Sequence, residues 1–328
     1  MRKTAFVLFL CLSFYSCKQK PAENGGTTGG LPRKEDNAKY PVLGNNNPPT
    51  LFPLFVDGKW GYVDKQCKMV LKPQYAGASR FSEGLAAVQM QKAGRVGFID
   101  ETGKVVIPPA FDLVDPYSEG LSAVMVNRKW GYIDRTGHIA IPPTFDAALG
   151  FTNGAAVVGQ MFNNGMAYFY INRNGEPLLD PAMKYALAQP FGEEMAPVRQ
   201  IGSNIRFIDK HGKTVIPPTY LGSERFHDGL APVWIHVNEG MRWGYIGHDG
   251  KLAITAHFAA ANPFFDGLAA VQVLGSGKWG YVNTKGSQVI PPKFDAAGPF
   301  FNGMAQVTVD DTKVGYIDTN GKYVCEPK

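Results

Sequence analysis

A segment of roughly 36 residues recurs through most of the chain, and repetition at that period restricts the fold more than any other feature. The aromatic that follows a Trp-Gly pair fixes the register: Tyr62, Phe98, Tyr132, Tyr170, Phe207, Tyr245, Tyr281 and Tyr316. Successive gaps are 36, 34, 38, 37, 38, 36 and 35 residues, which match neither a heptad nor a nucleotide-binding fingerprint. The chain is therefore read as eight copies of one supersecondary unit.

Each copy divides into three apolar segments separated by turn residues. Strand A carries a small residue in its second slot in seven copies (Ala86, Ser122, Ala156, Ala196, Ala231, Ala269, Ala305; Phe52 is the exception). Its fourth slot is Leu54, Val88, Val124, Val158, Val198, Val233, Val271 and Val307. Alternating side chains put these slots on one closely packed face. The third slot holds Pro53, Pro197 and Pro232, which predicts an edge strand because proline cannot donate to a ladder.

Strand B is the Trp-Gly-Tyr-Ile-Asp segment, whose glycine leaves room for a neighbouring backbone. An Asp-x-x-Gly turn such as Asp134–Gly137 then predicts an antiparallel return into strand C. Strand C is expected to end at proline in seven copies, for example at Pro109 and Pro143. The linker to the next copy fits a fourth short strand or a helical turn equally well.

Four copies of the pair, Lys59-Trp60-Gly61-Tyr62, Lys129-Trp130-Gly131-Tyr132, Arg242-Trp243-Gly244-Tyr245 and Lys278-Trp279-Gly280-Tyr281, make residues 51–328 resemble the bacterial WG-repeat proteins. The resemblance implies the repeat and brings no catalytic residues with it.

The first residues differ from the rest. Arg2 and Lys3 precede an apolar run from Ala5 to Phe14 and then Ser16-Cys17, the layout of an export leader ending in a lipobox. Residues 1–16 read as a signal peptide and Cys17 as the lipid anchor. Residues 17–50, rich in Gly, Asn and Pro, read as a flexible tether to a single domain at 51–328. The expected location is the bacterial cell envelope, at the outer membrane or periplasmic face.

Loss of the leader removes Arg2 and Lys3 from 33 basic residues, leaving 31 against 28 acidic and a net charge of +3. That balance, with basic residues scattered, gives no footprint for nucleic acid.

The fold class is all-β, an eight-unit array for which a propeller-like closed ring is favoured over an open β-solenoid. Copy 1 begins at strand A and copy 8 stops at strand C, so neither end supplies a strand to the other. The two cysteines of the folded part, Cys67 and Cys325, lie in copies 1 and 8 and would meet across a closure seam, or remain two separate thiols.

No catalytic, cofactor or metal site is assigned. The turn acids Asp64, Asp100, Asp134, Asp209 and Asp318 are explained by turn capping, since Asn172 and Asn283 share their slot. Glu83, Glu119, Glu193, Asp228 and Asp266 would serve glycosidase chemistry only if two came close. His236 and His257 in copy 6 lack the spacing of a zinc site.

Copies 4 and 5 break the Trp-Gly rule, and departures from a local rule mark either drift or function. Phe162, Tyr168, Phe169 and Arg206, with the extra Trp234 of copy 6, form the candidate binding surface. The expected activity is that of a non-enzymatic monomer binding an envelope protein or a glycan, with a glycan-active enzyme as the alternative.

Overall fold

The computed structural model describes residues 50–328 apart from Asn164 and Glu239. The leader, Cys17 and the tether as far as Pro49 lie outside the described residues. All regular elements among the described residues are strands, arranged in seven antiparallel sheets.

Repeat 3 shows the plan. Strand A (Leu121–Val126) pairs with strand B (Lys129–Asp134), which pairs with strand C (Ile139–Phe145). A two-residue strand D (Leu113–Val114) from the preceding linker adds to the far side of A. The same D strand precedes A at Gly77–Ala78, Ala147–Ala148, Leu187–Ala188 and Gly222–Ser223, and at Ala296–Phe301 it is longer. Strand A is therefore an edge only in repeat 1, among the described residues. In repeat 6 strand C runs on as Leu252–Ala261 to become D of repeat 7, which merges two units into one seven-stranded sheet.

The prolines of strand A fit for a reason other than edge position. The third-slot residue turns its N–H and C=O toward D: Ser79, Asp115, Leu149, Gln189, Glu224 and Asn262 donate their N–H to Ala87, Ala123, Val157, Pro197, Pro232 and Ala270 oxygens, at 2.8–3.1 Å. Proline keeps the acceptor that D uses and loses only a donor that B does not need.

The prolines of strand C also differ from expectation. In repeats 1, 2, 3, 5 and 7 they do not end the strand, which continues two residues further, as in Met69–Tyr75 and Val105–Phe111, whereas Pro181 lies in no strand and the strand of repeat 8 stops at Cys325, before Pro327. Within the continuing strands they sit in a bulge: Trp130 pairs with Phe145 and Tyr132 with Ile141, so three residues of C oppose the single residue Gly131. A Cβ on Gly131 would lie 2.5 Å from the Ile141 oxygen and 2.6 Å from the Pro143 nitrogen. This close approach explains why glycine follows tryptophan.

Where the glycine is replaced, the outcome differs between repeats. In repeat 4, Phe169 occupies the slot and no strand C forms; the following chain pairs with strand B through isolated bridges at Tyr185 and Pro177. In repeat 5, Arg206 occupies it and the bulged register persists, with Ile205 opposite Tyr220 and Phe207 opposite Ile216.

Among the described residues the core is divided into eight apolar clusters. Seven join consecutive repeats, such as Tyr132, Ile141 and Phe151 with Val158 and Ile171. The eighth joins repeats 1 and 8 through Phe52, Leu54, Val63, Met304, Tyr316 and Cys325. This explains the apolar first strand, which is covered by the last repeat. Trp130 and Trp279 are buried and Trp60 and Trp243 half-buried, so the indoles serve packing.

Cys67 and Cys325 form a disulfide with Cα atoms 5.3 Å apart. Their slots correspond across a junction. Except in repeat 5, where Gly212 meets Met183, the hairpin glycine of each later repeat rests on the strand C aliphatic of the repeat before, for example Gly103 on Leu71 and Gly250 on Ile216, at 3.0–3.1 Å for an added Cβ. Cys67 holds that glycine slot in repeat 1, at φ 60°, and Cys325 holds the aliphatic slot opposite Tyr316 in repeat 8.

Candidate functional site

The recurring acids are engaged in the fold. In the B–C turns one oxygen of Asp64, Asp100, Asp134, Asp209 and Asp318 accepts the N–H groups two and four residues on, at 2.9–3.0 Å; Asn172 and Asn283 do the same at 2.9–3.1 Å. The Thr102 hydroxyl, with the backbone donors, holds the Asp100 carboxyl below its usual range.

Glu83, Glu119, Glu193, Asp228 and Asp266 each accept the N–H of the corresponding glycine in the next repeat, Gly120, Gly154, Gly229, Gly267 and Gly303, at 2.8–3.0 Å. These five carboxylates clasp neighbouring repeats. His236 lies in strand A and His257 in strand C of repeat 6 with strand B between them. Among the described residues no three ligating side chains are grouped to hold a metal.

Of the residues singled out in the sequence, Phe162 and Phe169 come together. They line a groove with Tyr170, Leu179, Met183 and Lys184, in the space left where repeat 4 lacks strand C. Phe162 and Met161 are exposed, and the Lys184 ammonium lies 4.0 Å from the Phe162 ring centre. Tyr168 is half-buried against the core between repeats 4 and 5. Arg206 reaches Tyr185 at the same junction. Trp234 stands apart in repeat 6, paired with Trp243 in near-parallel stacking at 6.4 Å.

A second constellation was not singled out in the sequence. Just after the D strands, the guanidiniums of Arg80 in repeat 2 and Arg225 in repeat 6 both act electrostatically on Asp115 of repeat 3, and Glu224 adjoins Arg225 in sequence. Burial raises the Asp115 carboxyl, against the opposing Gly150 N–H at 2.9 Å and the two arginines. Burial pushes Glu224 up to about 7, with Arg225 opposing. Both side chains are ringed by protein yet still reached by solvent. Beside them the Arg80 guanidinium lies 3.8 Å over the Phe301 ring, Phe301 meets Phe265 at 4.9 Å, and Phe265 meets His227 at 4.0 Å. Spacing within a repeat gave no hint of this group, because its members come from five different repeats.

The repeat itself can be assigned. Seven stretches match the WG containing repeat, at residues 60–92, 97–130, 130–160, 168–202, 205–233, 243–275 and 279–312. The chain belongs to the WG-repeat family. Each matched stretch runs from strand B of one unit into strand A of the next, which is why eight WG repeats give seven matches.

No curated protein matches the chain. Among solved structures, the computationally designed Ika8 protein is similar over 83% of this chain and 97% of that one, at 11% identity and a TM-score of 0.50. Virginiamycin B lyase from Staphylococcus aureus aligns over 75% of this chain and 92% of its own at 15% identity, with a TM-score of 0.43. The extracellular domain of the putative hybrid two component system BT4673 from B. thetaiotaomicron aligns over 78% of this chain and 42% of its own at 10% identity, with a TM-score of 0.46. Likeness at this level concerns an all-β repeat fold and carries no activity to the WG-repeat chain.

Proposed function

We propose that this WG-repeat chain is a non-enzymatic binding or scaffolding lipoprotein of the bacterial envelope. Its eight units form a closed, propeller-like ring, held by Cys17 and the tether at a membrane and presented as a monomer to a protein or glycan. Support for closure comes from the junction of repeats 8 and 1, which carries a core cluster like those between consecutive repeats, a disulfide, and a hydrogen bond from the strand B tyrosine of repeat 8 to repeat 1. Arg80 of repeat 2 against Phe301 of repeat 8 is a contact that a ring explains and an open superhelix does not.

The binding reading is carried by the groove of repeat 4. Where other repeats pair strand B with strand C, this one leaves Phe162 and Met183 exposed along a groove, and exposed apolar faces gathered at one place mark interaction surfaces. The test is capture from envelope extracts by the full-length protein and by its Phe162→Ser, Met183→Ser double variant. A partner held by the first and lost by the second is expected, and equal capture by both would remove the groove from the reading. Replacing Cys17 by serine should move the protein out of the membrane fraction; unchanged fractionation sinks the lipid anchor.

Asp115 and Glu224 favour a second reading, a glycan-active enzyme, because half-enclosed carboxyls with raised proton affinity are what general acids require. Release of reducing ends from an envelope glycan, abolished by Glu224→Gln, would establish it over the first.

A further inference from the structure

One slot of the linker changes character round the array. It holds Ser82, Ser118, Thr152 and Gly192 in repeats 2 to 5, then His227, Phe265 and Phe301 in repeats 6 to 8. In repeats 2 and 3 the serine hydroxyl donates to the carbonyl of the next repeat's aromatic, Tyr117 or Phe151, at 2.6 Å. The fold is thus served by a small residue here, and three successive aromatics are not required by it.

These aromatics are also placed unlike the core rings. Phe265 and Phe301 are half-buried and the His227 side chain is 37% exposed, whereas the neighbouring Phe264 and Phe300 are fully buried. The His227, Phe265 and Phe301 rings follow one another as a continuous row that ends under the Arg80 guanidinium. Arg80 brings a cation onto the end of the row, and Arg80 and Arg225 both act electrostatically on Asp115, with Glu224 beside Arg225 in sequence. Together they supply both hydrogen-bond donors and acceptors.

We propose that this row is a binding platform for a neutral oligosaccharide, with sugar C–H faces lying on Phe265 and Phe301 and hydroxyls meeting Arg80, Arg225, Asp115 and Glu224. An apolar ring face bordered by a few convergent polar groups is the general form of such sites. The assignment rests on the chain being a binding module, and it is independent of the repeat 4 groove.

The experiment is titration calorimetry of the full-length protein with chitohexaose, cellohexaose, maltohexaose and laminarihexaose, and with a hexagalacturonate for comparison. At least one neutral hexamer should bind below about 1 mM, and the Phe265→Ser, Phe301→Ser double variant should weaken it about tenfold or more. Serine is chosen because repeats 2 and 3 carry it in this slot, and an unchanged melting curve certifies the fold. Ile201→Ser, at an exposed position outside both the row and the groove, should bind sugar as the parent does. Failure of all four neutral hexamers to bind at about 10 mM overturns the platform. So does equal binding by the serine variant, or a preference for the galacturonate. Cleavage of a bound hexamer, seen by chromatography, would keep the platform and overturn the non-enzymatic reading.

Discussion

The Tyr316 hydroxyl donates to the Pro53 carbonyl at 2.7 Å, although 263 residues separate them. Five other strand B tyrosines donate forward to a linker carbonyl: Tyr62 to Ser79, Tyr132 to Leu149, Tyr170 to Gln189, Tyr245 to Asn262 and Tyr281 to Gly298, at 2.8–2.9 Å. Pro53 is the third-slot residue of strand A, whose carbonyl in repeats 2 to 7 is taken by a linker N–H. In repeat 1 that acceptor is met by the tyrosine of repeat 8.

Removing such a hydroxyl strands a carbonyl. Tyr132→Phe is expected to cost about 1–3 kcal/mol, because the Leu149 oxygen loses its donor inside the protein while the ring stays buried. Phe98 and Phe207 show that the ring alone suffices for packing, so the variant should fold; an unaltered urea midpoint would contradict the account.

Gly131→Ala is expected to be far more damaging. The new Cβ would meet two backbone atoms of the strand C bulge at 2.5 and 2.6 Å, and backbone cannot turn aside as a side chain can. A loss of about 3 kcal/mol or more is expected, from overpacking against the bulge. Equilibrium denaturation of the alanine variant beside the parent measures it, and a change below about 0.5 kcal/mol, the range of ordinary surface substitutions, would refute the steric explanation.

The disulfide closes a sequence separation of 258 residues. Loop-closure entropy alone sets an upper bound on the order of 5 kcal/mol for its contribution. The Cys67→Ser, Cys325→Ser double variant should unfold at lower denaturant, with the parent falling to the same midpoint in reducing agent. If the reduced and oxidised parent coincide, the bond adds nothing to stability.

Stability should fall as pH rises through neutrality. The folded chain holds Glu224 protonated up to about 7, above its ordinary 4.5, so between those values it binds a proton that the unfolded chain has released. By linkage the stabilisation is fully present below pH 4.5 and is lost as pH rises through about 7, with Asp115 adding in the same sense. Glu224→Gln should flatten the curve of urea midpoint against pH. An identical slope in the variant would assign the effect elsewhere.

The strands, their order within a unit and the turn capping were readable from period-two alternation and from recurring Asp and Gly. The short D strand was not, because two residues such as Gly77 and Ala78 are too few to show a pattern. The proline bulge looked like a strand end, since proline signals both and only the pairing of Phe145 with Trp130 separates them. Phe169 announced a break in repeat 4, and Phe162 beside it proved to share the groove. Arg80, Asp115, Phe265 and Phe301 were invisible as a group because each is ordinary within its own repeat.

The pairing of Cys67 with Cys325 also imposes a sequence of events on biosynthesis. Any nascent chain shorter than 325 residues carries Cys67 without its partner Cys325, so the covalent latch waits until the last repeat has been made. Until then the apolar face of Phe52, Leu54 and Val63 has no cover from Met304 and Tyr316, and the emerging array depends on other protection against sticking to its neighbours.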